Sequence, residues 1–110
     1  MENLKIISWN CRSLYTKLSE FKTRLYAETP HVVCLCETWL KENRLPSFKN
    51  YKSFFKCREV RAGGGLAILV RNDVSVSEID LGQYQQGLLE TQSVRVYGIN
   101  QHLDLSLIHI

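Results

Sequence analysis

Asn10 and Glu37 are the residues of this sequence whose types and placement could carry chemistry. Asn10 closes a strand-like segment (LKIISWNCRSL, residues 4–14), and Glu37 closes the apolar core of a second (VVCLCETWL, residues 32–40), with about one helix between them. A carboxylate and a carboxamide on adjacent strand ends offer oxygen donors to a hard cation such as Mg²⁺ and to the phosphate it would carry. Each residue also has an ordinary reading. Glu37 can be a solvated strand-end carboxylate, and Asn10 a turn or helix-capping residue.

The elements that must position the pair are a strand, a helix and a strand. Joined in this order they predict a βαβ unit with parallel strands, so that Asn10 and Glu37 share the carboxyl edge where open α/β sheets bind ligands. Ser13 offers a helix cap, and Leu14, Leu18, Phe21 and Leu25 then recur at spacings of four, three and four, which is one apolar helix stripe. Lys17, Glu20, Lys22, Arg24 and Glu28 form its outer face, and Pro30 ends it. Residues 31–36 are apolar on both faces, as a central strand covered on both sides should be. Residues 41–47 read as a loop and 51–56 as an aromatic strand. Gly63, Gly64 and Gly65 then precede a strand at 66–70, marking a turn or bulge of unusual backbone angles. They are not a phosphate loop, since no Gly-Lys-Ser/Thr follows and no helix opens after them. Asn72 and Asp73 give a turn, followed by strands at 74–79 and 91–97.

Composition sets limits on the function. The 110 residues make one domain or part of one, and at 45% hydrophobic they can bury a core. There is no run of 18 or more apolar residues and no signal-peptide pattern. A soluble protein of the nucleus or cytoplasm is the expectation. Cys11, Cys34, Cys36 and Cys57 have poor spacing for zinc and are expected as buried reduced thiols, with a metal or redox role as the alternative. The formal charge of +3 is unevenly spread. Lys41, Arg44, Lys49, Lys52, Lys56, Arg58 and Arg61 face Glu42 and Glu59, whereas beyond Arg71 the residues Asp73, Glu78, Asp80, Glu90 and Asp104 face only Arg95. With Phe48, Tyr51, Phe54 and Phe55 interleaved, the basic stretch could track a phosphate backbone and stack on bases. The alternative is a solvated face whose aromatics belong to the core.

Three blocks together, WNCRSL, the segment from Pro30 to Leu40 (PHVVCLCETWL) and AGGGLAILVRNDV at 62–74, resemble the start of the endonuclease/exonuclease/phosphatase superfamily. The likeness is strongest to the apurinic-endonuclease-like domain that opens the proteins of non-LTR (LINE-type) retrotransposons. It implies the N-terminal half of a four-layer α/β sandwich, two packed mixed β-sheets flanked by helices. By the same resemblance Glu37 binds Mg²⁺ and Asn10 belongs to the metal and phosphate network. The implied parent is a Mg²⁺-dependent DNA endonuclease that nicks target DNA, with a reverse transcriptase domain downstream. The family's tyrosine, its Asp-x-Asn pair and its terminal Asp-His are expected beyond residue 110, and Tyr97 takes no role from the match. The 110 residues alone are therefore expected not to cleave DNA. Another phosphatase or phosphodiesterase of the superfamily, and a noncatalytic truncated or decayed fragment, are the alternatives.

Residues 105–110 (LSLIHI) are what the frame CTG TCT CTT ATA CAC ATC encodes, a transposase end sequence used in sequencing-library adapters. The expectation is that 1–104 is the N-terminal part of the domain and 105–110 an adapter translation, so His109 receives no role. A natural strand of this sequence is the alternative.

Overall fold

The computed structural model describes residues 4–57, 64–79, 90–98 and 101–109. Arg58, Glu59, Arg61, Gly63, Asp80 and Ile110, singled out above, lie outside the described residues. The elements run β1 (Ile6–Asn10), α1 (Leu18–Glu28), β2 (Val32–Cys36), β3 (Tyr51–Lys56), β4 (Leu66–Arg71), β5 (Ser75–Ile79), β6 (Glu90–Gly98) and β7 (Gln101–His109). The result is a mixed α/β fold.

The first sheet has the order β1-β2-β4-β3. β1 pairs with β2 in parallel, with Asn10 opposite Cys36, and β2 and β3 both pair with β4 antiparallel. β2 is thus central, as its two-sided apolar character predicts, but it is parallel to only one neighbour. Side chains alternate between two cores. Val33, Leu35, Ala67 and Leu69 face α1 and share one core with its Phe21 and Leu25 and with Leu14 from the segment before it. Val32, Ile68 and Val70 face the other way and join Val74, with Val76 of β5 packed against them. That second face receives the second sheet, β5-β6-β7, which is antiparallel throughout.

The helix starts later than Ser13 predicts. A 3₁₀ turn at Tyr15–Lys17 precedes α1, and neither start carries a side-chain cap. Ser13 instead has a φ of 82°, and its backbone N–H donates to Glu37 O at 3.0 Å, so the chain here is bound to the β2 exit rather than coiled into a cap. At the other end Thr29 adopts the left-handed conformation, its N–H donating to Leu25 O, and Pro30 follows. Proline excludes the right-handed helical region at Thr29, which closes the helix there.

The segment at 41–56 corrects the stacking expectation. Phe48 and Tyr51 are buried, and Phe54 and Phe55 are half-buried against the two cores. Phe21 bridges Trp9, stacked at 5.8 Å, and Phe48, edge-on at 5.5 Å. Tyr51 Oη donates to Pro30 O at 2.6 Å, which further commits that ring to the interior. Phe48 and Tyr51 anchor the segment to the α1 side of the sheet, whereas Phe54 packs into the opposite core, so these rings belong to the interior rather than to one exposed stacking face.

Candidate metal site at the β1–β2 edge

Three chain segments meet at the carboxyl ends of β1 and β2. The segment leaving β1 is bound to the one leaving β2 through Cys11 N to Cys36 O (2.9 Å), Ser13 N to Glu37 O (3.0 Å) and Leu14 N to Thr38 O (2.9 Å). The latter is bound in turn to the entry of β4 through Thr38 N to Gly65 O (3.3 Å) and Trp39 N to Gly64 O (2.8 Å). Lys17 Nζ donates to Cys11 O and lies over the Trp9 ring, which ties the start of the helical region to the same junction.

Backbone conformation at this edge is unusual for the residue types present. Arg12 (φ 48°), Ser13 (82°), Glu37 (55°) and Trp39 (56°) are non-glycine residues in the left-handed region, alongside Gly64 (67°) and Gly65 (93°). Such conformations cost on the order of 1–3 kcal/mol each and persist where surrounding contacts impose them. Here the crossing hydrogen bonds impose them. Their effect is to turn the chain sharply out of β2, burying Thr38 and leaving Trp39 exposed on either side of one peptide.

Glu37 is placed by this turn. Its Oε2 accepts from Trp39 Nε1 at 2.6 Å and from Gly64 N at 3.1 Å. Two N–H donors on one carboxylate oxygen are charge-assisted bonds that fix the plane of the group. Asn10 stands at the end of β1 with its side chain exposed, one residue short of the junction, and its register partner Cys36 immediately precedes Glu37. The two residues are therefore brought together on one sheet edge. Glu37 and the Asn10 carboxamide are both oxygen donors, the class a Mg²⁺ ion prefers, and such an ion is held by only one or two carboxylates, with water and phosphate completing the shell. No group of three His, Cys, Asp or Glu side chains suited to a metal occurs among the described residues.

The cysteines stand apart from this chemistry. None of the four forms a disulfide. Burial, with Cys36 nearby, pushes Cys11 up to about 12, and burial likewise raises Cys34 and Cys36, the latter also beside the Glu37 charge. These three are protonated, weakly nucleophilic groups at neutral pH. Cys11 is buried as expected, while Cys34, Cys36 and Cys57 are half-buried. His31, the histidine at the opposite end of β2, accepts the Lys5 N–H on Nδ1 and so serves the structure.

Lys41, Arg44, Lys49 and Lys52 are exposed on the segment after the turn. That segment is held to the helical region by Tyr15, whose hydroxyl donates to Arg44 O (2.6 Å) and accepts from Lys41 N (3.0 Å), and by Tyr26 Oη donating to Lys49 O (3.2 Å). The Arg44 guanidinium lies 4.5 Å from the centre of the Tyr15 ring. Trp39 was not anticipated as a site residue. The pattern Glu-x-Trp followed by a glycine run was the available signal, but only the tertiary turn brings the indole back to the carboxylate.

Residues 7–98 match the model of the Endonuclease/Exonuclease/phosphatase family, and the chain belongs to that family. Among solved structures it is similar to the endonuclease domain of TRAS1, a telomere-specific non-LTR retrotransposon (TM-score 0.72, 13% identity, 97% of this chain and 46% of that one). It is also similar to the AP endonuclease LMAP from Leishmania major (TM-score 0.69, 17% identity, 94% and 39%). A third is the 3' phosphatase NExo from Neisseria bound to product DNA hairpin (TM-score 0.62, 19% identity, 93% and 40%). At these identities the likeness is one of fold. The chain spans less than half the length of each. No curated protein sequence matches it. Among the described residues no helix is long and apolar enough to cross a membrane.

Proposed function

We propose that this chain supplies the N-terminal half of a Mg²⁺-dependent DNA phosphodiesterase, of the kind that nicks target DNA ahead of reverse transcription in non-LTR retrotransposons. The observation that carries this reading is the placement of Glu37 one residue beyond the Asn10–Cys36 register pair, with its carboxylate oriented by Trp39 and Gly64. In this reading Glu37 holds the ion and Asn10, at the adjoining strand end, joins it in the metal and phosphate network through its carboxamide. When bound, Mg²⁺ stabilises charge developing on the phosphoryl group. The exposed Lys41, Arg44, Lys49 and Lys52 attract the nucleic-acid backbone in a salt-dependent way. The groups that prepare the attacking water, the reverse transcriptase partner and the second half of a four-layer sandwich belong to a longer protein in this proposal, which acts in the nucleus or cytoplasm.

A second reading is a phosphatase or other phosphodiesterase, since one fold hosts several phosphoester substrates and a 3' phosphatase shares this one. Nicking of supercoiled plasmid by the full-length protein separates them. The expected result is Mg²⁺-dependent conversion to open circles that falls by about 10² or more in Glu37→Gln, with folding unchanged. An unaltered rate at limiting magnesium returns Glu37 to the role of an ordinary strand-end carboxylate.

A further inference from the structure

We infer that Trp39 is a positioning residue for the Glu37 carboxylate, acting on the metal through it; this rests on Glu37 being a ligand, as proposed above. Glu37, Trp39 and Gly64 form a closed circuit of three hydrogen bonds. Trp39 Nε1 donates to Glu37 Oε2 at 2.6 Å, Gly64 N donates to the same oxygen at 3.1 Å, and Trp39 N donates to Gly64 O at 2.8 Å. The backbone bond fixes where the indole begins, and the side-chain bond fixes where it ends.

Core packing does not explain this tryptophan. It is 41% exposed, whereas its neighbours Thr38 and Leu40 are 0% and 1% exposed and fill the interior. Trp39 also holds a left-handed backbone conformation (φ 56°), which is disfavoured for a bulky residue. An exposed indole in that conformation, its one N–H aimed at a carboxylate two residues away, constrains the carboxylate and not the core. A partner that orients a metal-binding group typically changes metal affinity or activity 10–100-fold when removed.

The test uses the full-length protein and Mn²⁺ as the probe, with the unbound ion measured by electron paramagnetic resonance. Trp39→Phe keeps an aromatic ring and removes the N–H. The expected result is a loss of about 10-fold or more in Mn²⁺ affinity, a matching rise in the Mg²⁺ needed for half-maximal nicking, and an unchanged KM for DNA. Should Trp39→Phe also lower the melting temperature, benzothienylalanine at position 39 decides, because it preserves the bicyclic shape without the N–H. Wild-type Mn²⁺ affinity in that variant, with affinity lost in Glu37→Gln, overturns the role of Trp39 and leaves the proposed function standing. Affinity retained in Glu37→Gln overturns both.

Discussion

Gly65 and Thr38 approach so closely that a side chain on Gly65 has no room: a Cβ built there would lie 2.6 Å from Thr38 Oγ1 and 3.5 Å from Trp39 N. The glycine that opens β4 is thus the floor beneath the Glu37 turn. It is needed twice, for this approach and for its φ of 93°.

Gly65→Ala is therefore expected to destabilise the fold by about 1–3 kcal/mol from backbone strain, with the overlap at Thr38 adding to it. Urea denaturation measures this directly. Because Thr38 N donates to Gly65 O at the same point, the displacement also reaches Glu37, so metal affinity is expected to fall more than in an equally destabilised variant of the second core, such as Val74→Ala. Equal metal affinity in the two variants would show that the turn tolerates the shift.

The parts of the fold legible in the sequence are those set by local pattern. The end of β1 at Asn10 and the end of β2 at Cys36 follow from apolar runs bounded by polar residues, β3 follows from its aromatic content, and the βαβ order places Asn10 and Glu37 on one edge. What could not be read is what tertiary contacts impose against local preference. Ser13 has the chemistry of a cap but is drawn into a left-handed conformation by Glu37 O. Phe48 and Tyr51 could equally line a nucleic-acid groove or a core, and the choice depends on Phe21 and Pro30, which are more than twenty residues away in sequence. The circuit through Trp39 requires the glycines before β4 to return to β2, and no spacing rule encodes that.

The exposed ion pair of Arg71 and Asp73 predicts a pH dependence. Arg71 Nε lies 2.7 Å from Asp73 Oδ1 and Nη1 donates to Thr29 O at 2.6 Å, so the pair ties the β4 exit to the end of α1. The Arg71 hydrogen bond holds the Asp73 carboxyl below its ordinary value. A native value below the unfolded one gives stability that is present above the ordinary carboxylate range and is lost as pH falls through the lower native value. Asp73→Asn is expected to cost about 0.2–1 kcal/mol at pH 7, the usual range for exposed pairs, and progressively less as pH falls below the ordinary carboxylate range. Denaturation midpoints of both proteins across an acid titration check it; a difference that does not shrink with falling pH would assign the effect to something other than the charge.

Cys11 is fully buried and its thiol is pushed up to about 12. The native thiol therefore stays protonated where an unfolded one, near 8.5, ionises. Stability from this group is complete below about 8.5 and declines as pH rises toward the native value, because only the unfolded chain releases the proton. In the native protein at pH 8, iodoacetamide is expected to leave Cys11 unmodified while all four cysteines react in denaturant, as read by peptide mass spectrometry. Rapid native modification of Cys11 would place it at an accessible surface instead.

The last prediction concerns residues 105–110. Leu105–His109 lie within β7 and continue its antiparallel register on β6, with Leu105 opposite Val94 and His109 opposite Glu90. Such pairing does not require that the segment evolved with its partner, because a strand edge offers unpaired N–H and C=O groups to any extended chain of suitable β propensity. We propose that this segment is translated adapter sequence. Amplification across the junction from source genomic DNA is expected to give a different continuation after Asp104; the resemblance to the endonuclease/exonuclease/phosphatase superfamily implies that it carries a strand leading into Tyr-x-Pro-Pro. Codons running from Asp104 into Leu-Ser-Leu-Ile-His-Ile would make β7 native along its whole length and refute the proposal.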